Sequence, residues 1–168
     1  QKTAYEMLRS LVGSEMCIRD SSIDELFLDY TGLEPHFGDP VAAAHLIKDH
    51  IREELGFTVN IGISHNKLLA KIAGDFKKPD MVHTLWRSEI PAKMWPLPVG
   101  DLFMVGRRTQ KKLLDLNITT IGELANADIK LLRSKLKSYG NLIWCYANGL
   151  DESPVHTGYF LQMKGIGN

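Results

Sequence analysis

The spacing of apolar residues changes near residue 90, and that change limits the fold more than any other feature of the chain. Before it, alternating and helical patterns take turns. Residues 22–31 (SIDELFLDYT) suit a strand or hairpin, residues 57–64 (FTVNIGIS) a strand, and residues 82–86 a shorter one. Between the first two, Ala44, Ile47, Ile51 and Leu55 recur at helical intervals over residues 41–55. Asp39 and Pro40 stand where a helix cap and first position belong, and Gly56 where the helix should stop. A second helix is expected over residues 65–76, with Leu68, Leu69, Ile72 and Ala73 on its apolar side, ended by Lys78-Pro79-Asp80. A β–α–β–α–β order predicts a mixed sheet with helices packed on it.

After Pro91 the strand patterns stop. Pro96 and Pro98 punctuate a linker, and only helical signals follow, over residues 109–116, 120–127, 129–136 and 141–148. The expected class is therefore α+β: a sheet-containing part over residues 22–90, a small all-helical domain over 91–150, and an extended tail over 151–168.

The chain is 44% hydrophobic, enough to bury a core, and no apolar run approaches the roughly 18 residues that span a bilayer. Its two cysteines, Cys17 and Cys145, make neither a disulfide framework nor a zinc site, and its six histidines are scattered. Twenty basic residues balance twenty acidic ones, but unevenly. Residues 22–65 hold eight acids and two bases, whereas residues 105–140 hold eight bases and three acids. The helical half thus carries the footprint of a polyanion partner or, on charge alone, a solvated charged face.

Residues 1–21 stand apart. LVGSEMCIRD resembles a translated sequencing adapter, and QKTAYE resembles the flanking primer in the same order and frame. The segment is therefore set aside from the fold, the alternative being an amphipathic N-terminal helix.

Three stretches carry candidate chemistry. Asp24 and Glu25 are adjacent carboxylates in an apolar setting, suited to a divalent metal at a bend or, more simply, to a solvated turn. In NKLLAKIAGDFKKPD, Lys67 and Lys71 are one helical turn apart, with Lys78 beyond, so they can face phosphate or merely form the wet side of an amphipathic helix. LFMVGRRTQKKL reads as an apolar turn, then Gly106, then a helix opening at Thr109. This resembles a helix-hairpin-helix element, in which backbone N–H groups would meet a DNA phosphate with Arg107 and Arg108 beside it. Ser138-Tyr139-Gly140-Asn141 reads as a weaker second copy ahead of the last helix, although either stretch alone could be a plain helix connection.

Together, SIDELFLDYTG, VNIGISHNKLLAKIAGDFKKPD, PLPVGDLFMVGRRTQKKLLDLNITTIGELA and YANGLDESPV resemble the Y-family DNA polymerases of the DNA polymerase IV or UmuC-like type. The resemblance implies a partial palm over 22–90, a thumb over 91–150, and a linker toward a little-finger domain. It implies translesion, template-directed nucleotidyl transfer with two Mg²⁺ ions held partly by Asp24 and Glu25, and contact of Lys78 with the triphosphate. It implies DNA contacts for Asn66, Lys67 and Lys71, and a duplex grip by Gly106, Arg107, Arg108, Thr109 and Gly140. Implied partners are primer–template DNA, deoxynucleoside triphosphates and, through a C-terminal part beyond Asn168, the sliding clamp, in the bacterial cytoplasm at the nucleoid and with no membrane. The first metal-binding Asp, the steric gate and the fingers are expected ahead of Ser22, so this chain by itself should be inactive. Met104 replaces the first glycine of the family's usual Gly-x-Gly. The readings from other classes are a non-catalytic helix-hairpin-helix DNA-binding module with a degenerate palm, and a nucleotide cyclase, which would need no basic helical domain.

Overall fold

The computed structural model describes residues 25–155 and, as backbone, residues 18–20. Asp24, the remainder of residues 1–24 and residues 156–168 lie outside the described residues. The architecture is α+β. Strand β1 (Ile18–Asp20) pairs antiparallel with β2 (Leu26–Leu28), Ile18 opposite Leu28 and Asp20 opposite Leu26. Three residues of the segment set aside in the sequence reading thus form a strand in the sheet. Strand β3 (Ile61–Ile63) pairs parallel with β4 (Val82–Thr84). The sheet expected to be continuous is two separate pairs, and each strand is shorter than its apolar run.

Local chemistry sets the helices. After the short α1 (Glu34–Phe37), Asp39 caps α2 (Pro40–Leu55) by accepting 3.0 Å bonds from the N–H groups of Val41 and Ala42. Gly56, at φ 74°, closes α2 in the left-handed region. Helix α3 (Lys67–Gly74) starts two residues later than its apolar pattern suggests, because Asn66 is its cap. Gly62 of β3 lies against the backbone of α3: a Cβ there would collide with the Ala70 carbonyl and the Gly74 amide. Only glycine lets helix and strand approach this closely.

Beyond β4 a 3-10 turn (Arg87–Glu89) and a single π-turn (Ile90–Met94) lead into four helices, α4 (Arg107–Leu114), α5 (Ile121–Ala125), α6 (Ile129–Leu136) and α7 (Ser138–Ala147). Two starts differ from the sequence expectation. Helix α4 opens at Arg107 rather than Thr109, with Gly106 as its cap residue, and α7 opens at Ser138, so Gly140 lies inside it. Thr120 and Glu123 make a reciprocal capping box at α5.

One hydrophobic core runs across the change of pattern at residue 90. Leu69 and Ile72 of α3, Leu85, Met94, Leu113 and Ile143 all belong to it. A smaller group of partly buried residues, Leu26, Leu28, Leu33 and Ile47, lies between β2, α1 and α2. Across residue 90 the Trp95 indole N–H donates to the Ala147 carbonyl at 3.1 Å. The sheet-bearing part and the helical part therefore share packing at α3, where a sequence reading separates them.

Candidate nucleic-acid interface

Glu25 precedes β2, and Lys71 lies on the outward side of α3. The Lys71 ammonium donates to both Glu25 oxygens, at 2.7 and 2.6 Å. The same ammonium stands 5.8 Å from the centre of the Phe103 ring, and the Lys67 ammonium 5.9 Å from that of Phe27. Strand β2, helix α3 and the turn near Phe103 thus converge on two lysines. A pair of carboxylates suits a hard divalent cation in donor type. The ligand count does not: no three His, Cys, Asp or Glu side chains come together among the described residues, and Lys71 occupies the oxygens of Glu25. The described residues do not by themselves compose a metal centre.

Lys78 follows α3 on a loop whose Lys78–Pro79 peptide is cis, and its ammonium donates to Asp75 at 2.9 Å. Two residues on, Asp80 sits at φ 59° and meets helix α2. Arg52 donates to it at 2.6 Å, and the Lys48 ammonium lies 3.1 Å away. Asp49 completes the group, 2.9 Å from both Lys48 and Arg52. The Lys48 ammonium, paired with Asp80 at 3.1 Å, and then Arg52 hold the Asp80 carboxyl below the usual carboxylate range. Its bond to Asp49 raises the Lys48 ammonium above its ordinary value.

In the helical half, Met104 sits at φ 73°, a conformation that favours glycine. The Tyr139 hydroxyl, from the first turn of α7, donates to the Met104 carbonyl and ties down the turn. Gly106 needs no such freedom at φ −79°, and the space where its Cβ would stand is open. The turn exposes Gly106, Arg107 and Arg108 together, with Lys111 and Lys112 on the next turn of α4, also exposed. Helix geometry leaves the N–H groups of Arg107 and Arg108 without intrahelical partners, and both point outward from a helix N-terminus. The Thr109 N–H is engaged by the Gly106 carbonyl at 2.9 Å.

Two sequence-predicted residues have other places. Gly140 is buried in α7, its N–H bonded to the Lys137 carbonyl at 3.1 Å. A Cβ at Gly140 would stand 2.6 Å from the Leu132 carbonyl of α6, so the glycine lets α6 and α7 touch. The turn between those helices is made instead by Lys137, at φ 57°. Asn66 caps α3 through Leu69 N and donates to the Gly149 carbonyl, both at 2.9 Å. An Asn ahead of an apolar helical run is the signal that could have marked this cap; nothing local marks the bond to Gly149. Nothing local in the sequence marks the contacts of Lys48, Arg52, Asp80, Phe103 and Tyr139, since partners such as Arg52 and Asp80, or Tyr139 and Met104, lie 28 or 35 residues apart.

The chain matches the impB/mucB/samB family over residues 1–75, a span that includes the first 21 residues, and the HHH motif of the IMS family over residues 87–118. It is similar to DNA polymerase IV of Clostridium acetobutylicum, 48% identical over 168 residues, covering 100% of this chain and 42% of that protein. DNA polymerase IV 2 of Bacillus subtilis is 42% identical over 150 residues, covering 88% of this chain and 36% of the relative. Among solved structures, a Y-family DNA polymerase chimera superposes with a TM-score of 0.77 at 24% identity, over 93% of this chain and 45% of that one. A Dbh ternary complex gives 0.75 at 25% identity, over 90% and 45%. A mixed palm layer joined to a helix-hairpin-helix thumb, with these matches along it, places the chain in the Y-family of DNA polymerases. Within that family its curated relatives are DNA polymerases IV, and the chain spans less than half of their length.

Proposed function

We propose that the chain is the palm-and-thumb portion of a translesion DNA polymerase of the DNA polymerase IV type, which adds deoxynucleotides to a primer on a DNA template. The observation that carries this reading is the exposed row Arg107, Arg108, Lys111 and Lys112 beside a turn fixed by Tyr139. A tied turn at a basic helix N-terminus suits a DNA phosphate, and such contacts position a duplex without reading its sequence. Lys71 stands over Phe103 and Lys67 over Phe27; the template–primer would pass along these two lysines, and Lys78 would meet the triphosphate. Asp24 and Glu25 would hold divalent metal together with a carboxylate that the described residues do not supply. Bound Mg²⁺ would neutralise the triphosphate and activate the primer hydroxyl.

On this reading the chain alone binds duplex DNA and does not extend a primer. The complete enzyme works in the bacterial cytoplasm at the nucleoid, and any sliding-clamp contact lies outside this chain. No helix among the described residues is long and apolar enough to cross a membrane.

The test is a salt titration of a fluorescent duplex by anisotropy. Removing Arg107 and Arg108 together as Ala should lower affinity equally on unrelated sequences. The log–log salt slope should become shallower by about 2 if each side chain neutralises one phosphate. An unchanged slope, or a loss that depends on base sequence, would refute the duplex grip.

A further inference from the structure

Lys48 is the one buried charged residue among those described, at 6% exposure, and the duplex-binding surface does not use it. An ammonium withdrawn from water is costly unless it is paired. Here the pairing forms a closed ring: Lys48 to Asp49 at 2.9 Å, Asp49 to Arg52 at 2.9 Å, Arg52 to Asp80 at 2.6 Å, and Asp80 back to Lys48 at 3.1 Å. Two cations and two anions alternate, so the group is neutral as a whole.

Three of the four residues belong to α2, a continuous helix capped at both ends, and the fourth belongs to the loop between α3 and β4. Lys48 and Arg52 are one helical turn apart, so both reach the same carboxylate. Asp80 itself is held in the left-handed region, which a non-glycine residue keeps only where its surroundings fix it. On either side the loop is tied by backbone groups: Met81 N–H to the Asn60 side chain at 3.0 Å, and the Lys77 carbonyl to His83 at 3.0 Å. Residues 77–81 are thereby pinned at both ends and at Asp80, with Lys78 between the pins.

We infer that Lys48 and Arg52, acting through Asp80, are positioning residues that hold the Lys78 loop in the shape that presents its ammonium to a polyphosphate. The clamp acts from the face of α2, on the loop rather than on the ligand. This inference rests on the assignment of Lys78 to the triphosphate.

The experiment uses the full chain, isotopically labelled, with inorganic tripolyphosphate as the probe. Amide hydrogen exchange is read for the N–H groups of residues 77–81 (Pro79 has none), above all Met81, which is bonded to Asn60, and for the buried core, and tripolyphosphate affinity is read by titration. Asp80→Asn should speed exchange in 77–81 by about tenfold while leaving the core amides of α3 protected, a local opening rather than a global one. It should weaken tripolyphosphate binding by about tenfold, the scale on which outer-shell partners act elsewhere. Arg52→Gln should behave alike, and Arg52→Lys should recover most of the affinity because it keeps the charge. Unchanged exchange in 77–81 would overturn the clamp. Faster exchange with unchanged affinity would overturn the positioning role. Lys78→Ala reports separately on the underlying assignment: if it leaves affinity untouched, the loop does not bind polyphosphate, and the positioning role falls with it whatever the exchange data show.

Discussion

Asn66 bonds Gly149 across 83 residues: its side-chain amide donates to the Gly149 carbonyl at 2.9 Å while its oxygen caps α3 through Leu69 N. One side chain therefore fixes the start of α3 and the turn that follows α7. Leu68 N–H reinforces the junction by donating to Asp151 at 3.3 Å. Gly149 lies at φ 71°, close against Leu69 and Ile90, so the carbonyl that Asn66 meets is itself held by the core.

Removing that side chain should therefore cost both a cap and a hydrogen bond. Asn66→Ala is expected to lower unfolding free energy by about 2 kcal/mol, within the range set by cap loss and an unpaired carbonyl. Asn66→Ser keeps a capping oxygen and loses the bond to Gly149, so it should fall between the two. Urea unfolding by circular dichroism checks the order; equal stabilities for wild type and Ala would refute it.

Met104 sits at φ 73°, where a side chain is disfavoured by about 1 kcal/mol. Met104→Gly should raise stability by less than that, since glycine also adds freedom to the unfolded chain. Tyr139→Phe removes the tie to the Met104 carbonyl and should weaken duplex binding without altering the salt slope, because no charge is lost. Thermal unfolding and anisotropy on the two variants separate strain from positioning.

Acid should weaken the fold through Glu123 and Glu89. Bonds from Thr119 N–H, the Thr119 hydroxyl and Thr120 N–H hold the Glu123 carboxyl below its ordinary value of 4.5. Glu89 is lowered first by Lys93 and then by the Trp86 N–H. A depressed folded pKa means stability that is fully present above the ordinary value and is lost as pH falls through the lower folded one. The midpoint of thermal unfolding should be flat near neutrality and decline below pH 4.5, the ordinary value of both groups. Glu123→Gln should start lower at neutral pH and decline less steeply. A variant parallel to wild type at every pH would show that Glu123 contributes nothing through its charge.

The resemblance of residues 1–21 to adapter sequence carries its own test. A chain beginning at Ile18 keeps strand β1 and its pairing with β2. Its unfolding free energy should stay within about 1 kcal/mol of the longer chain, the scale of changes away from packed features. A larger loss would mean that residues 1–17 pack on the fold as native sequence.

Much of this fold is local and was legible in the residues. Asp39-Pro40 and Gly56 bound α2, the apolar spacing of Leu68, Leu69 and Ile72 marks α3, and the change near residue 90 separates strands from helices. The caps and apolar spacings lie within one helical turn of the helix they govern, so sequence spacing reports them directly, and the end of the strand patterns near residue 90 holds in that no named strand among the described residues follows it. The basic cluster at Arg107 and Arg108 was legible for the same reason, as was the odd residue Met104 where a glycine was expected. Tertiary structure decided what depends on distant partners. The shared core across residue 90, the Asn66–Gly149 bond, the Lys71–Glu25 pair and the ring around Lys48 each join residues far apart in the chain. Strand lengths also waited for the fold, because a strand lasts only as long as its neighbour pairs with it. Gly140 shows the difference within one residue: the sequence marks a glycine, but only the contact with Leu132 shows that it serves helix packing rather than a turn.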